Sequence, residues 1–328
     1  MRIALSLGSG GARGYAHIGV IQELHARGHE VVAIAGTSMG ALVGGLEAAG
    51  RLSDYADWVS GLTQRDVLML LDPTLTGPGV FWGQRVMTRV ADILDGAQIE
   101  NLPVAFTAVA TDLTNRREVW FQRGSVATAI RASIGIPSVF TPVMVDGRLL
   151  ADGGLLNPVP VDPLHGVPAD RTIAVSLAGR RAGSLTGRPV TETASNEGFM
   201  GELSGWFRRG VLDSGPVRTW REWRTERFFP AESSRALEPS LSDAPASERT
   251  PDFDFDDLPK GLKLGDVVSL SLETAEALIT RFRLAASPPD TLIEFSQEMA
   301  STFDFHRAAE LIAIGQETTA HVLDEAGL

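Results

Sequence analysis

Residues 33–45 read AIAGTSMGALVGG. An uncharged apolar run, residues 31–35, leads into Gly36-Thr37-Ser38-Met39-Gly40, and a helical pattern over residues 39–49 follows, stopped by Gly50. One reading is a buried strand that turns sharply into a tightly packed helix and exposes Ser38 on the turn, the setting of a nucleophile elbow. Another is a membrane span, and a third is a glycine-rich run in which Ser38 has no special role. The uncharged stretch, residues 31–46, falls just short of the roughly 17 residues that spanning needs. It also holds four glycines, a serine and a threonine. Strand then helix is therefore the expectation. The chain has 34 glycines in 328 residues, so Gly-x-Ser-x-Gly alone decides nothing about Ser38. The rest of the sequence has to supply an oxyanion site and a base.

Upstream, residues 3–7 form a short apolar run that ends in Gly8-Ser9-Gly10-Gly11-Ala12-Arg13-Gly14. A helical pattern over residues 14–27 follows, with Ile18, Ile21 and Leu24 on one face and Gly28 as its stop. Strand–helix–strand–helix is the rhythm of an α/β fold: a central, mainly parallel sheet with helices on both faces. Further helices are expected over residues 54–62, 83–94 and 125–132, with Ser125 as N-cap. Strands are expected over residues 104–110, 118–121, 171–176 and 291–295, and a hairpin around Asp146-Gly147. Residues 72–79 (DPTLTGPG) read as a loop, and residues 267–284 and 305–326 as the last two helices.

Between these lies a stretch of different character. Residues 199–229 are rich in arginine and aromatics, and residues 230–259 carry five prolines and eight acidic residues. The expectation is one domain over residues 1–328, with residues 199–259 an insertion and residues 230–259 a mobile loop. The aromatic part reads as a packed helical flap; a lid or a segment lying on an anionic membrane is the alternative.

Composition narrows the chemistry. The formal net charge is −12, which argues against a nucleic-acid partner. There is no cysteine, so thiol nucleophiles, disulfides and thiolate metal sites are excluded. The start, MRIALSLGSGG, is broken by glycine too early for a signal peptide, and no transmembrane helix is expected, which gives a cytoplasmic location, with peripheral membrane contact left open. Oligomeric state is not legible.

The glycine loop is not a dinucleotide fingerprint. The residue three after Gly10 is Arg13, where that pattern needs glycine, and no acidic residue ends the second strand. It reads instead as an anion site, where backbone N–H groups, a helix N-terminus and Arg13 converge. If the first two strands are neighbours, this loop and Ser38 end at the same sheet edge. Six histidines could serve Ser38, but none sits at a strand end among glycines. Leu150-Ala151-Asp152-Gly153-Gly154 places a carboxylate after an apolar run and before two glycines. A plain Asp-Gly turn is the competing reading there.

SGGARG, GTSMG and DGG, in that order, resemble the patatin-like phospholipases, closest to the short bacterial members. The likeness extends over NLPVAFTAVATDL (residues 101–113), AIRASIGIPSVFTPV (129–143), ADGGLLNPVPV (151–161) and the closing PPDTLIEF and DFHRAAELIAIGQ. It implies a three-layer fold and metal-free, cofactor-free hydrolysis of lipid acyl esters by a serine–aspartate dyad. Ser38 would be the nucleophile and Asp152 the base. Gly10, Gly11, Arg13 and Gly14, with Met39 N–H, would form the oxyanion hole, and Gly36, Gly40, Gly153 and Gly154 would shape the elbow and the aspartate motif. A carboxylesterase or thioesterase, and a non-catalytic acyl-ligand binding module, are the alternatives. Ser9 departs from the family, which often has glycine there. Residues 199–259 have no counterpart to align.

Overall fold

The computed structural model describes residues 1–72, 79–179 and 264–328. The loop expected over residues 72–79 and the whole insertion, 199–259, lie largely or wholly outside these residues.

The described chain builds one eight-stranded sheet. In chain order its strands are β1 (Arg2–Leu7), β2 (Glu30–Thr37), β4 (Ala105–Asp112), β5 (Arg117–Phe121), β7 (Val143–Val145), β8 (Arg148–Asp152), β9 (Arg171–Gly179) and β10 (Thr291–Ser296). β3 (Gly79–Phe81) and β6 (Ser138–Phe140) pair separately. The helices are α1 (Ala16–Ala26), α2 (Met39–Ala48), α3 (Leu52–Ser60), α4 (Gln64–Leu70), α5 (Gln84–Leu94), α6 (Val126–Ser133), α7 (Leu264–Ala286) and α8 (Ala308–Ala326). The strand order is β10-β9-β1-β2-β4-β8-β7, with β5 also on β4. The first five strands run parallel; β5, β8 and β7 pair antiparallel. β10 follows residues 180–263 in the chain yet pairs with β9, so the chain on both sides of that segment joins one sheet.

Side-chain size divides the two faces. Ile3, Leu5 and Leu7 of β1, Ile173, Val175 and Leu177 of β9, and Ile34 of β2 enter one large core with α1, α2, α3, α5, α6 and α8. The opposite face is lined by Ala4, Ala33, Ala35 and Ala174. Small residues there let the 157–167 segment and Leu284 of α7 lie close against the strands. Each large side chain fully removed from water contributes roughly 1.5–3 kcal/mol, so the first face carries most of the hydrophobic stabilisation.

One junction sets up everything that follows. Ala108 and Val109 of β4 pair with both β2 and β5, and residues 110–112 pair with both β5 and β8. A strand has two edges, so β2 and β8 share one edge of β4 and meet end to end. Thr37, the last residue of β2, stands opposite Val109, and Asp152, the last of β8, stands opposite Ala110.

The expected elements are present, with shifted ends. The first helix opens as a 3-10 turn, Gly11–Tyr15, and the last follows a similar turn, Phe305–Arg307. α4, β3 and β6 were not expected. α4 did carry a readable start, since Thr63 and Asp66 form a capping box. The hairpin turns through Asp146 (φ 48°) and Gly147 (φ 73°), both left-handed as a type I′ turn requires.

Candidate active site

Ser38 occupies the turn between β2 and α2 with φ 57° and ψ −121°, a conformation that is strained for a residue with a Cβ. Two contacts hold it there. A Cβ on Gly40 would sit 2.0 Å from the Leu7 carbonyl oxygen, so only glycine lets α2 start this close to β1. A Cβ on Gly36 would likewise meet the Gly40 carbonyl, at 2.3 Å. The Ser38 N–H donates to Ser133 Oγ at 2.8 Å, and Ser133 Oγ in turn donates to the Val109 carbonyl at 2.6 Å. Ser133 ends α6 and is fully buried. It bridges the gap that β2 leaves on the edge of β4 before β8 begins.

Asp152 fills the next position along that edge. The Ser38 hydroxyl donates to its Oδ2 at 2.6 Å, and the Gly154 N–H donates to its Oδ1 at 2.8 Å. Ser38 and Asp152 are 3% and 5% exposed, so the pair is almost withdrawn from water. Burial lifts the Asp152 carboxyl from its ordinary 3.8 to about 7, opposed by the Ser38 and Gly154 hydrogen bonds and reinforced by the negative charge of Glu276. A Cβ on Gly153 would stand 2.2 Å from the Val109 carbonyl oxygen, so this glycine too is a condition of the close approach.

The glycine loop follows β1 and lies against Ser38. Gly8 N–H is bound by the Val175 carbonyl, Ser9 N–H by Pro158 and Ala12 N–H by Thr302. Between them, the N–H groups of Gly10 and Gly11 donate in none of the hydrogen bonds among the described residues. Gly11 is left-handed at φ 56°. Arg13 sends Nε to the Gly10 carbonyl at 3.2 Å and Nη1 to the Gln297 carbonyl at 3.3 Å, so it braces the loop while lining the space beside Ser38. Gly14 packs against Met39, where a Cβ would lie 2.3 Å from the Met39 Cβ.

Histidine takes no part. His17 Nε2 donates to the Gly8 carbonyl at 2.8 Å, and burial lowers its pKa to about 4, which keeps it neutral. His25 pairs with Glu47 at the surface. Among the described residues no histidine hydrogen-bonds to Ser38 or Asp152.

Two chambers meet at Ser38. One holds about 690 Å³ of empty space, part of it open to solvent, and is walled almost entirely by apolar groups, among them Leu42, Trp58, Val86, Ile134 and Phe140. Tyr15 and Tyr55 also line it, with their ring centroids 6.5 Å apart and both pKa values raised by burial. The other holds about 890 Å³ of such space and brings together Ser9, Gly10, Gly11, Arg13, Asp152, Gly154, Glu273 and Glu276. Among the described residues, only Ser38, Gly11 and Ile136 border both.

Two residues at this site were not anticipated. Ser133 sat in a quoted block but carries no local sign of its role. Glu276 of α7 accepts a hydrogen bond from Ser9 Oγ at 2.5 Å, and burial raises its pKa. Behind them, Arg283 of α7 bonds Glu118 and Asp162, and Asn157 also reaches Glu118, which ties α7 to the sheet. No helix among the described residues is long and apolar enough to cross a membrane.

Known proteins are similar in sequence to this chain over these elements. The family model described as Patatin-like phospholipase matches residues 5–165, from β1 past Asp152. An uncharacterized NTE family protein of Mycobacterium tuberculosis is 43% identical over 333 residues, covering 98% of this chain and 91% of its own. Patatin-like phospholipase domain-containing protein 7 of Mus musculus is 32% identical over 212 residues, 62% of this chain and 15% of that one. Neuropathy target esterase sws of Drosophila melanogaster is 30% identical over 62% of this chain and 14% of its own. The matched region contains the glycine loop, the elbow and the aspartate motif, and near-full-length identity extends it to the C-terminal elements: the chain belongs to the patatin-like phospholipase family.

Proposed function

We propose that the chain is a lipid acyl hydrolase in which Ser38 is the nucleophile and Asp152 its base. The observation that carries this is the 2.6 Å hydrogen bond from Ser38 Oγ to a buried carboxylate with a pKa near neutrality. An aspartate at its ordinary pKa is a poor base; one lifted to about 7 is matched to proton transfer at physiological pH.

In the first step Asp152 takes the Ser38 proton as Oγ attacks the ester carbonyl. The developing oxyanion is received by the N–H groups of Gly10 and Gly11, with Met39 N–H at the start of α2 adding the field of the helix N-terminus. Asp152 then protonates the leaving alcohol, which departs, and Ser38 carries the acyl group. Water enters, gives its proton to Asp152 and attacks the acyl carbon; the proton returns to Ser38 Oγ as the fatty acid leaves. The apolar chamber receives the acyl chain, where each buried methylene contributes about 0.8 kcal/mol. The polar chamber, on the Asp152 side, receives the alcohol.

The test is hydrolysis of long-chain acyl esters by purified wild type, Ser38→Ala and Asp152→Asn, with products identified. Both variants should lose activity by about 10³-fold or more. Retention of full activity in both would overturn the mechanism. Labelling by a fluorophosphonate separates a hydrolase from a binding module: the wild type should react at Ser38, whereas a binding module would stay unlabelled.

A further inference from the structure

Ser9 stands where the family often has glycine, and its hydroxyl is not idle. It donates to Glu276 Oε1 at 2.5 Å across 267 positions of sequence. The pair stands at the edge of Asp152 that does not face Ser38. A Cβ placed on Gly154 would lie 2.5 Å from Glu276 Oε1, 3.0 Å from Asp152 Oδ1 and 3.1 Å from Ser9 Oγ. Three oxygens thus converge on one small space that glycine keeps empty. That space opens to the polar chamber, and Glu276 Oε2 takes part in none of the hydrogen bonds or ion pairs among the described residues.

The placement follows from the reaction. The leaving oxygen must reach Asp152 to be protonated, so the first carbons of the leaving alcohol extend past Asp152 towards Ser9 and Glu276. A carboxylate with an open oxygen, beside a hydroxyl whose proton is already given away, presents acceptors. It recognises donors, and the donor an alcohol leaving group carries is a further hydroxyl. We propose that Ser9 and Glu276 form a specificity site for a hydroxyl on the leaving alcohol, which directs the enzyme to partial esters of polyols. This rests on the hydrolase reading above.

The test compares two isosteric substrates with one acyl chain, the 2-hydroxyethyl ester and the propyl ester, which differ by one hydroxyl in place of one methyl. A site built to bond a hydroxyl discriminates against the analogue that lacks it. In this half-open chamber the wild type should favour the hydroxyethyl ester by about tenfold in kcat/KM. Glu276→Ala and Ser9→Gly should each bring the ratio near one; if one variant fails to fold, the other decides. A wild-type ratio near one, or a tenfold ratio kept in the variants, overturns the proposal while leaving the hydrolase reading intact. If neither ester is turned over, the hydrolase reading fails, and calorimetric binding of the matching non-hydrolysable ethers decides this one. Tighter binding of the hydroxyethyl ether that is lost in Glu276→Ala supports the specificity site, and equal binding of the two ethers overturns it.

Discussion

Thr37 and Asp152 stand opposite consecutive residues, Val109 and Ala110, on one edge of β4. Two strands running in opposite directions end head to head there, and Ser38 leaves the sheet at the point where they meet. Because both are referenced to the same strand, the hydroxyl and the carboxylate meet at hydrogen-bond distance although 114 positions separate them.

Ser133 spans that junction, so its removal should loosen the elbow. Ser133→Ala leaves the Ser38 N–H and the Val109 carbonyl buried without their shared partner. We expect kcat to fall about tenfold with KM little changed, as loss of one buried hydrogen-bond partner predicts. Steady-state kinetics and the rate of fluorophosphonate labelling check this; a fall in stability with both rates unchanged would show that Ser133 serves the fold alone.

Activity should rise with pH through the Asp152 pKa. As the proposed base, Asp152 works only when ionised, so the ascending limb of kcat/KM should lie near 7. The negative charge of Glu276 raises that pKa, so Glu276→Gln should move the limb to lower pH. A pH–rate profile of both proteins reads the shift, and a limb that stays in place contradicts the coupling.

The same carboxylate should weaken the fold as it ionises. Its folded pKa lies above the unfolded value, so the neutral form is preferred in the native state and stability declines as pH rises from about 4 towards 7. Asp152→Asn cannot ionise and escapes this loss. Relative to wild type, the variant should gain on the order of 2 kcal/mol between about pH 5 and pH 8. Denaturant melts at the two pH values measure it, and a difference independent of pH would contradict the elevated pKa.

Gly153→Ala should break the approach of β8 to β4. The new methyl would meet the Val109 carbonyl oxygen at 2.2 Å. Overpacking of this kind costs about 1–3 kcal/mol, and the displacement falls on Asp152 itself. Melting temperature and ester hydrolysis should both drop; a variant with wild-type values in each would show that the strand end yields freely.

The apolar chamber should set chain-length preference. Val86 lines it and is partly exposed at the margin of the main core, so Val86→Trp can shorten the chamber. Long-chain esters should lose about 15- to 60-fold in kcat/KM relative to short-chain esters, as exclusion of two to three methylenes at about 0.8 kcal/mol each predicts. An unchanged chain-length profile would place the acyl group elsewhere.

The parts of this site legible in the sequence are those whose cause is local. Gly36, Gly40 and Gly153 stand where the backbone approaches another backbone, and residue type alone reports such places. Ser125 and the Asp146-Gly147 turn are local in the same sense. Ser133 and Glu276 were not legible, because each acquires its role by meeting a residue 95 or 267 positions away. Arg13 was legible as part of the loop but not in its attachment to the Gly10 and Gln297 carbonyls.

The Gly154 N–H that binds Asp152 Oδ1 has a consequence for how this centre can change over time. In a three-member serine hydrolase a separate side chain steadies the base, and one substitution removes it. In the proposed dyad that duty falls to the main chain, whose N–H every residue type except proline retains. As proposed, the base therefore depends on no third side chain for its orientation, while the chamber walls, built from ordinary side chains, are free to drift towards new esters.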